Sequence, residues 1–197
     1  LLVSGASFPP NTIKELIDYA RARPGQLNYS NPVGAYSHLD MLEFMSKAGI
    51  QMVNVPSKGA GSSFAPIIAG EIHFSFLNAA TVTPQVKANR LKAFVTTAKK
   101  RLTELSEVPT MAEAGFPGMG SVNWNGFFVP AKTPRAIVDK LAAATHQVLQ
   151  RPAVQDAFTK AGVPLTPSAS PEEFQEFVRA EQKRWARIIK ENNVKFD

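Results

Sequence analysis

The sequence predicts an α/β fold in which much of the sheet is parallel. Short apolar runs alternate with segments whose apolar residues recur at helical spacing, which is typical of strand–helix–strand units. Small-residue loops follow two of the apolar runs and lead directly into helices. The apolar runs predict strands over residues 27–30, 52–55, 72–77 and 91–97.

The first helix is predicted by a capping box. In the run Thr12-Ile13-Lys14-Glu15, Thr12 is expected to cap the helix while Glu15 reaches back to the chain before it. Pro24-Gly25 is expected to stop this helix near residue 23. The first predicted strand then leads into a turn-rich stretch over residues 31–36.

The next four helices are predicted by local start and stop signals. Ser37 is expected to cap a helix that carries apolar residues at helical spacing up to Ala48. A short helix should follow residues 57–62 and end at Gly70. Thr83-Pro84 is expected to begin another, because proline is favoured in the first helical turn. A second capping box, over residues 110–113, predicts a short helix that ends at Gly115.

The composition changes between residues 115 and 125, which predicts an α/β domain over residues 1–122 and a mainly helical segment over residues 123–197. Residues 124–129 are predicted to form a strand that crosses between the two. Trp124 either packs at this crossing or lines a cleft between domains. Three helices should follow, over residues 134–150, 152–160 and 171 onwards, the last with an apolar stripe that needs a sheet to cover it.

Charge and composition exclude several classes of function. The 197 residues carry a formal charge of +6, but the basic residues are scattered and lack the interleaved aromatics of a single-strand binder. No nucleic-acid partner is expected, and a nucleic-acid binder driven by charge is only a third hypothesis. The absence of cysteine excludes disulfides and thiolate chemistry, and no histidine spacing matches a metal site, so neither metal nor cofactor is expected. The chain opens without an initiator methionine, which we interpret as the mark of a fragment of a longer protein.

Two loops have the composition of an anion site. Residues 30–38 and 57–63 each follow a predicted strand, are rich in glycine, serine and alanine, and open a helix. The unpaired N–H groups of a helix N-terminus bind anions, and ligands of α/β sheets bind beyond the carboxyl ends of the strands. Asn78 stands after the next strand in the same position. Without further information, an anion site and a purely structural role for these loops are about equally plausible.

Two enzyme classes are weaker alternatives. The run Gly59-Ala60-Gly61 lacks the third glycine of a dinucleotide-binding loop, and no acidic residue ends the next strand. A hydrolase would use Ser62 as nucleophile and His38 as base, although no Gly-x-Ser-x-Gly elbow is present. His38 serves equally well as a ligand donor or as a capping and packing residue.

Several ordered motifs resemble one family. They are the helix over residues 12–23 followed by Pro24-Gly25-Gln26-Leu27-Asn28-Tyr29-Ser30, then Ser37-His38-Leu39, Val55-Pro56-Ser57-Lys58-Gly59, Ala69-Gly70-Glu71-Ile72, residues 107–118, residues 128–134 and Ser170-Pro171-Glu172-Glu173-Phe174. The most specific is the Val-Pro-Thr-x-x-Glu-x-Gly run in residues 108–115. Across its whole length the chain resembles the solute-binding receptors of tripartite tricarboxylate transporters, the Bug proteins.

The resemblance implies a type II periplasmic-binding-protein fold with two α/β domains and a ligand cleft between them. This chain would hold one whole domain and the C-terminal part of the other. It implies a periplasmic receptor and not an enzyme, with a small carboxylate ligand and membrane transporter subunits as partners. Carried onto this sequence, the ligand-binding positions are Ser30, Asn31, Gly34, Ala35, Ser37, His38, Lys58, Gly59, Ala60, Gly61 and Asn78.

The sequence departs from the family pattern in composition and in length. Asn31-Pro32-Val33 replaces a glycine-rich turn, Ser57 stands where tyrosine is common, and Leu77 stands where aspartate is common. Loss of that aspartate makes plain carboxylates better candidates than amino acids. Family members also extend further at the N-terminal side, so we expect half of a two-domain receptor, whose uncovered apolar helices could form a dimer.

Overall fold

The computed structural model describes residues 1–58, 60–121, 124–160 and 165–194. The chain divides into two compact units, which we describe separately. Unit 1 comprises Leu1–Asn123 together with Ile188–Asp197, and unit 2 comprises Trp124–Arg187. The predicted domain boundary between residues 122 and 123 stays a prediction.

The sheet of unit 1 has five short strands: β1 (Leu2–Gly5), β2 (Leu27–Tyr29), β3 (Met52–Asn54), β4 (Ser75–Phe76) and β5 (Leu91–Val95). β1 lies between β4 and β5 and is antiparallel to both. β2 and β3 are parallel, and a parallel bridge between Tyr29 and Phe74 sets β2 beside β4. The spatial order is therefore β3-β2-β4-β1-β5, with every strand except β1 running in one direction.

β1 was absent from the sequence prediction, yet it is the strand that joins the two sides of the sheet. All four of its residues are buried, so it has no polar face and its sequence has no alternation of apolar and polar residues. A buried run of this length carries no periodicity that distinguishes a strand from other structure. The prediction of a largely parallel α/β sheet is otherwise confirmed.

Four α-helices and one 3-10 turn accompany the sheet: α1 (Ile13–Arg21), α2 (Tyr36–Ala48), α3 (Ala60–Ala69), α4 (Ala79–Lys87) and the turn Thr103–Leu105. The Thr12 cap is confirmed, because its side chain accepts a hydrogen bond from the Glu15 N–H at 3.2 Å. Glu15 reaches back one residue further than expected, to the N–H of Asn11 at 2.8 Å.

Two predicted helix starts were wrong. α2 begins at Tyr36 with Ala35 as its N-cap, so Ser37 lies inside the first turn and does not cap it. α4 begins at Ala79, because the Asn78 side chain accepts a hydrogen bond from the Ala80 N–H at 2.9 Å. Asparagine is a stronger N-cap signal than a Thr-Pro pair, and Pro84 is accommodated inside the helix.

Two further predicted elements, the helix after the second capping box and the strand over residues 124–129, do not form. The residues of the second capping box do bond reciprocally, with the Thr110 N–H donating to Glu113 at 2.8 Å and the Glu113 N–H donating to Thr110 Oγ1 at 3.2 Å. They form turns and no helix, since Gly115 adopts a φ of 89° and reverses the chain. Residues 124–129 form no strand.

Unit 2 contains three helices, α5 (Arg135–Leu149), α6 (Pro152–Lys160) and α7 (Pro171–Glu191), as predicted, although the last four residues of α7 group with unit 1. Trp124 packs edge-on against Phe174 and Phe177, with ring centroids 5.6 and 5.4 Å apart. Neither α5 nor α6 buries a residue. The aromatic cluster around Trp124 is therefore the main packing within this unit, and much of its apolar surface is exposed.

Candidate ligand-binding site

The carboxyl ends of β2, β3 and β4 meet at one edge of the sheet in unit 1. Tyr29, the last residue of β2, pairs with Asn54 in β3 and with Phe74 just before β4. The segment after β3 stays beside β2 for one more residue, because the Val55 N–H donates to the Tyr29 carbonyl at 2.8 Å. The loops predicted to bind a ligand after β2, β3 and β4 thus begin side by side, as an α/β binding edge requires.

Asn31 holds this edge together. Its side-chain amide donates to Ser75 Oγ at 3.1 Å and to the Phe76 carbonyl at 2.9 Å. Its backbone exchanges hydrogen bonds with the Asn54 side chain, each at 3.3 Å. Asn31 is only 1% exposed. Both side-chain N–H groups therefore donate inside the protein, and direct contact of Asn31 with a ligand stays a prediction.

Ser30 is part of the same network. Its carbonyl accepts a hydrogen bond from Ser75 Oγ at 2.6 Å, and its N–H donates to the Phe74 carbonyl at 3.0 Å. Ser75, in β4, therefore bonds to both Ser30 and Asn31, the two residues that follow β2. The sequence does not indicate the hydrogen bonds that Ser75 and Asn54 make to residues 30 and 31, because these partners are far apart along the chain.

The N-terminus of α2 stands directly after this network. Ala35, the N-cap, supplies no side-chain hydrogen bond, and the first N–H groups that donate within the helix are those of His38 and Leu39, both to the Ala35 carbonyl. The amides of Tyr36 and Ser37 precede this ladder. A helix start without a side-chain cap leaves its first amides to water or to a ligand, and its dipole favours an anion there.

His38 folds back over this helix start. Its Nδ1 accepts a hydrogen bond from the Gly34 N–H at 3.2 Å, and Gly34 adopts a φ of 76° that brings the chain into position. Because Nδ1 acts as an acceptor, the neutral ring carries its proton on Nε2. Burial lowers the pKa of His38 below its usual value, which favours that neutral form. The ring also stacks on the buried Tyr29, with centroids 6.1 Å apart.

The loop between β3 and α3 supplies the second set of predicted positions. Lys58 is exposed. Ala60 and Gly61 begin α3, whereas Gly59 lies outside the described residues. Ser57, which the prediction of site residues omitted, has a hydroxyl shielded from solvent that finds no hydrogen-bond partner in the described parts of the chain. A buried hydroxyl without a partner destabilises the ligand-free loop and is a candidate for a bond with water or ligand.

Asn78 completes the set after β4. It is exposed, and its Oδ1 caps α4 through the Ala80 N–H. The predicted positions therefore group around three helix starts, those of α2, α3 and α4, at the carboxyl end of the parallel strands.

The hydrolase alternative finds no support in this arrangement. Ser62 lies within α3 and is exposed. It does not have the strained backbone of a nucleophile elbow, because the described non-glycine residues with positive φ are Asn89 and Asn193. The Nδ1 of His38 already accepts a hydrogen bond from the Gly34 N–H.

Across the described ranges, no cluster of acidic residues and histidines suits a metal ion, and no helix is long and apolar enough to span a membrane.

The fold of this chain is an α/β fold of the periplasmic-binding-protein class. The sequence pattern of one protein family, described as the tripartite tricarboxylate transporter family receptor, matches residues 1–194 of this chain. The chain belongs to this family, which confirms the resemblance read from its motifs. Membership of a receptor family agrees with the prediction of a receptor and not an enzyme.

Individual relatives are similar over nearly the whole chain. The protein in the tcbD-tcbE intergenic region of Pseudomonas sp. strain P51 is 30% identical over 97% of this chain and 57% of its own length. Protein BugT of Bordetella pertussis is 28% identical over 99% of this chain and 60% of its own length. The chain therefore spans less than two thirds of these relatives.

Several solved structures are also similar to nearly the whole of this chain. R. palustris Rpa4515 with adipate is 31% identical and superimposes with a TM-score of 0.79, over 96% of this chain and 64% of that protein. MatC from Rhodopseudomonas palustris with bound malate is 28% identical, with a TM-score of 0.77 over 96% of this chain and 65% of that protein. The periplasmic binding protein BugD is 29% identical, with a TM-score of 0.79 over 98% of this chain and 66% of that protein.

Proposed function

We propose that this chain is the main ligand-binding part of an extracytoplasmic receptor that captures a small carboxylate. The observation that carries the proposal is the start of α2, where Ala35 provides no side-chain cap beside the joined ends of β2, β3 and β4. Free amides at a helix N-terminus favour a carboxylate. Two of the similar solved structures hold adipate and malate, both of which are dicarboxylates.

Backbone amides and hydroxyls supply enough affinity for this function. A micromolar dissociation constant corresponds to about −8 kcal/mol. Each hydrogen bond to a charged group contributes about 1.5–3 kcal/mol, so several of them offset the entropic cost of association. We propose that the contacts come from Ser30, Gly34, Ala35, Ser37 and His38, from residues 58–61 and from Asn78. In this scheme Asn31 positions the loop and Lys58 attracts the anion from a distance.

The receptor would act by closure of two domains around the ligand. Unit 1 would provide one wall of the cleft, and unit 2 would belong to the domain that provides the other. A ligand that contacts both walls favours the closed state by its differential affinity. We further propose a periplasmic location and delivery of the ligand to the membrane subunits of a tripartite transporter, because these follow from membership of the receptor family.

The apolar surface of unit 2 requires a covering partner. Phe127 is 86% exposed and Phe128 is 67% exposed, and Ile137 and Leu141 on α5 are each 49% exposed. Soluble proteins seldom leave so many large apolar groups open to water. We propose that a further segment of a longer polypeptide covers this face, because the matched relatives are considerably longer than this chain. A second copy of the chain is the other occupant to test.

Light scattering separates these two occupants. If a further segment covers the face, the full-length gene product will be a monomer, whereas the 197-residue chain will self-associate as its concentration rises. A full-length product that dimerises, and that dissociates when Phe127 and Phe128 are both replaced by serine, would show instead that a second copy covers the face.

The proposed function is tested by a thermal-shift screen. Adipate, malate and a tricarboxylate are compared with amino acids and sugars, using both the 197-residue chain and the full-length gene product. A ligand stabilises the state that binds it. We expect carboxylates to raise the melting temperature of the full-length protein in a concentration-dependent way. If no carboxylate shifts either protein, the proposal is wrong.

A further inference from the structure

Asp40 is a buried carboxylate on the helix whose N-terminus forms the proposed site. It lies in α2, one turn beyond Tyr36, and is 1% exposed. Both of its oxygens accept hydrogen bonds from the same distant residue. Ser121 Oγ donates to Oδ1 at 2.8 Å, and the Ser121 N–H donates to Oδ2 at 3.2 Å. A carboxylate buried to this degree is stable only with such donors, and two bonds to one residue fix both distance and orientation.

The segment before Ser121 is fixed from a second direction. Gly120 has a φ of 105°, and a Cβ atom added to it would lie 2.9 Å from the Thr97 Cβ and 3.1 Å from the Thr97 Cα. Only glycine therefore allows the chain to pass so close to the residues that follow β5. Met119 is buried in the core beside it. Residues 119–121 are thus held between α2 and the end of β5.

Ser121 stands at the end of unit 1. Only two residues separate it from Trp124, where unit 2 begins. The Asp40–Ser121 pair, which we call the clamp, therefore connects the helix of the proposed carboxylate site to the point where the chain leaves for the other unit. The clamp makes no use of the ligand-binding amides of α2, so it can act while a ligand is bound.

We infer that the clamp transmits carboxylate binding at the α2 N-terminus to unit 2, with Asp40 and Ser121 as positioning residues. The inference rests on the proposed function. A ligand that binds the first turn of α2 applies its force to a rigid helix, and the two hydrogen bonds carry any shift of that helix to residue 121. Removal of one of the two hydrogen bonds weakens this connection between α2 and residue 121.

The positions of the tryptophans provide a direct readout. Both tryptophans, Trp124 and Trp185, lie in unit 2, whereas all the proposed ligand-binding positions lie in unit 1. A change in tryptophan fluorescence when adipate is added therefore reports a change in unit 2, the dependence of that change on the clamp residues reports transmission, and calorimetry reports binding itself. The experiment uses the full-length gene product, provided that its additional residues contain no tryptophan or that any such tryptophan is replaced by phenylalanine.

Two variants weaken the clamp to different degrees. Ser121→Ala removes the hydroxyl bond and keeps the N–H bond. Asp40→Asn places an amide N–H₂ opposite one of the two Ser121 donors and so loses an acceptor. The control is Asp18→Asn, which removes an exposed carboxylate that pairs with Lys14 at 3.0 Å. Ser121→Thr retains the hydroxyl and tests for rescue. Unfolding curves confirm that each variant is folded.

We expect the wild type to bind adipate with a change in tryptophan fluorescence. In Ser121→Ala and Asp40→Asn, the fluorescence change should fall to less than about half, and dissociation should become about tenfold faster while association changes little, as is usual when closure is impaired. Asp18→Asn should behave as the wild type, and Ser121→Thr should restore the signal.

Two results would overturn the inference while leaving the proposed function intact. One is a wild type that binds adipate without any change in fluorescence. The other is an unchanged fluorescence response in Ser121→Ala, the milder variant. A wild type that binds no carboxylate by calorimetry would instead refute the proposed function, and the role of the clamp would be refuted with it.

Discussion

Replacement of Asn31 by alanine should destabilise unit 1 by about 2–4 kcal/mol. The substitution removes three hydrogen bonds of the side chain: its amide N–H groups donate to Ser75 Oγ at 3.1 Å and to the Phe76 carbonyl at 2.9 Å, and its Oδ1 accepts from the Phe76 N–H at 3.4 Å. Each such bond contributes about 1 kcal/mol net, so the loss of all three accounts for a destabilisation of this size. The side chain is 1% exposed, so water cannot replace the lost donor without rearrangement.

Urea unfolding followed by far-UV circular dichroism measures this change, because circular dichroism detects loss of the helices and strands of unit 1. The matched control is Asn78→Ala, which removes an exposed N-cap and should cost about 1 kcal/mol. Hydrogen exchange should show the loss of protection in residues 27–31 and 74–77. A cost for Asn31→Ala no greater than that for Asn78→Ala would refute the positioning role of Asn31.

Two further predictions concern the loop between β2 and α2. Gly34→Ala should cost about 1–2 kcal/mol and weaken carboxylate binding, because its φ of 76° is unfavourable for alanine. Gly25→Ala, at a φ of 70° with no atom within 4 Å of its Cβ, should cost a similar amount in urea unfolding but leave the affinity unchanged; an equal loss of affinity in both variants would contradict the assignment of the site. Burial lowers the pKa of His38 from its usual value of 6.5, so the unfolded chain binds a proton first and stability should fall as the pH drops below about 6.5. His73 acts in the same direction, so His38→Gln should reduce this loss of stability in urea titrations between pH 7.5 and 5, and should not abolish it. A slope unchanged by the substitution would show that His38 titrates normally in the folded protein.

Much of the fold could be predicted because its signals are local. The Thr12 cap, the loops that follow β2 and β3, and the helices of unit 2 all depend on residues within a few positions of one another. The start of α4 was misplaced because two local signals competed, and the side-chain bond of Asn78 was stronger than the preference of Pro84 for a first turn. β1 was missed because a short strand buried on both faces has no alternating pattern.

The candidate site was predicted only as far as its position. Loop composition predicted a site after β2 and β3, but the role of each residue depends on hydrogen-bond partners that are distant in the sequence. Asn31 bonds to Phe76 across 45 residues, and Asp40 bonds to Ser121 across 81. No spacing rule connects such positions, so sequence reasoning assigned Asn31 to the ligand and gave Asp40 no role. Ser57 became a candidate only when burial of its hydroxyl was visible.

We propose that helix-terminal amides at this edge bind the negative charge of a carboxylate. Calorimetric titration of the full-length gene product with adipate and, in parallel, with adipamide, which has the same carbon chain and no charge, tests this directly. We expect binding of adipate and loss of most of the affinity with adipamide, because the helix N-terminus favours an anion. Equal affinity for the two compounds would contradict it.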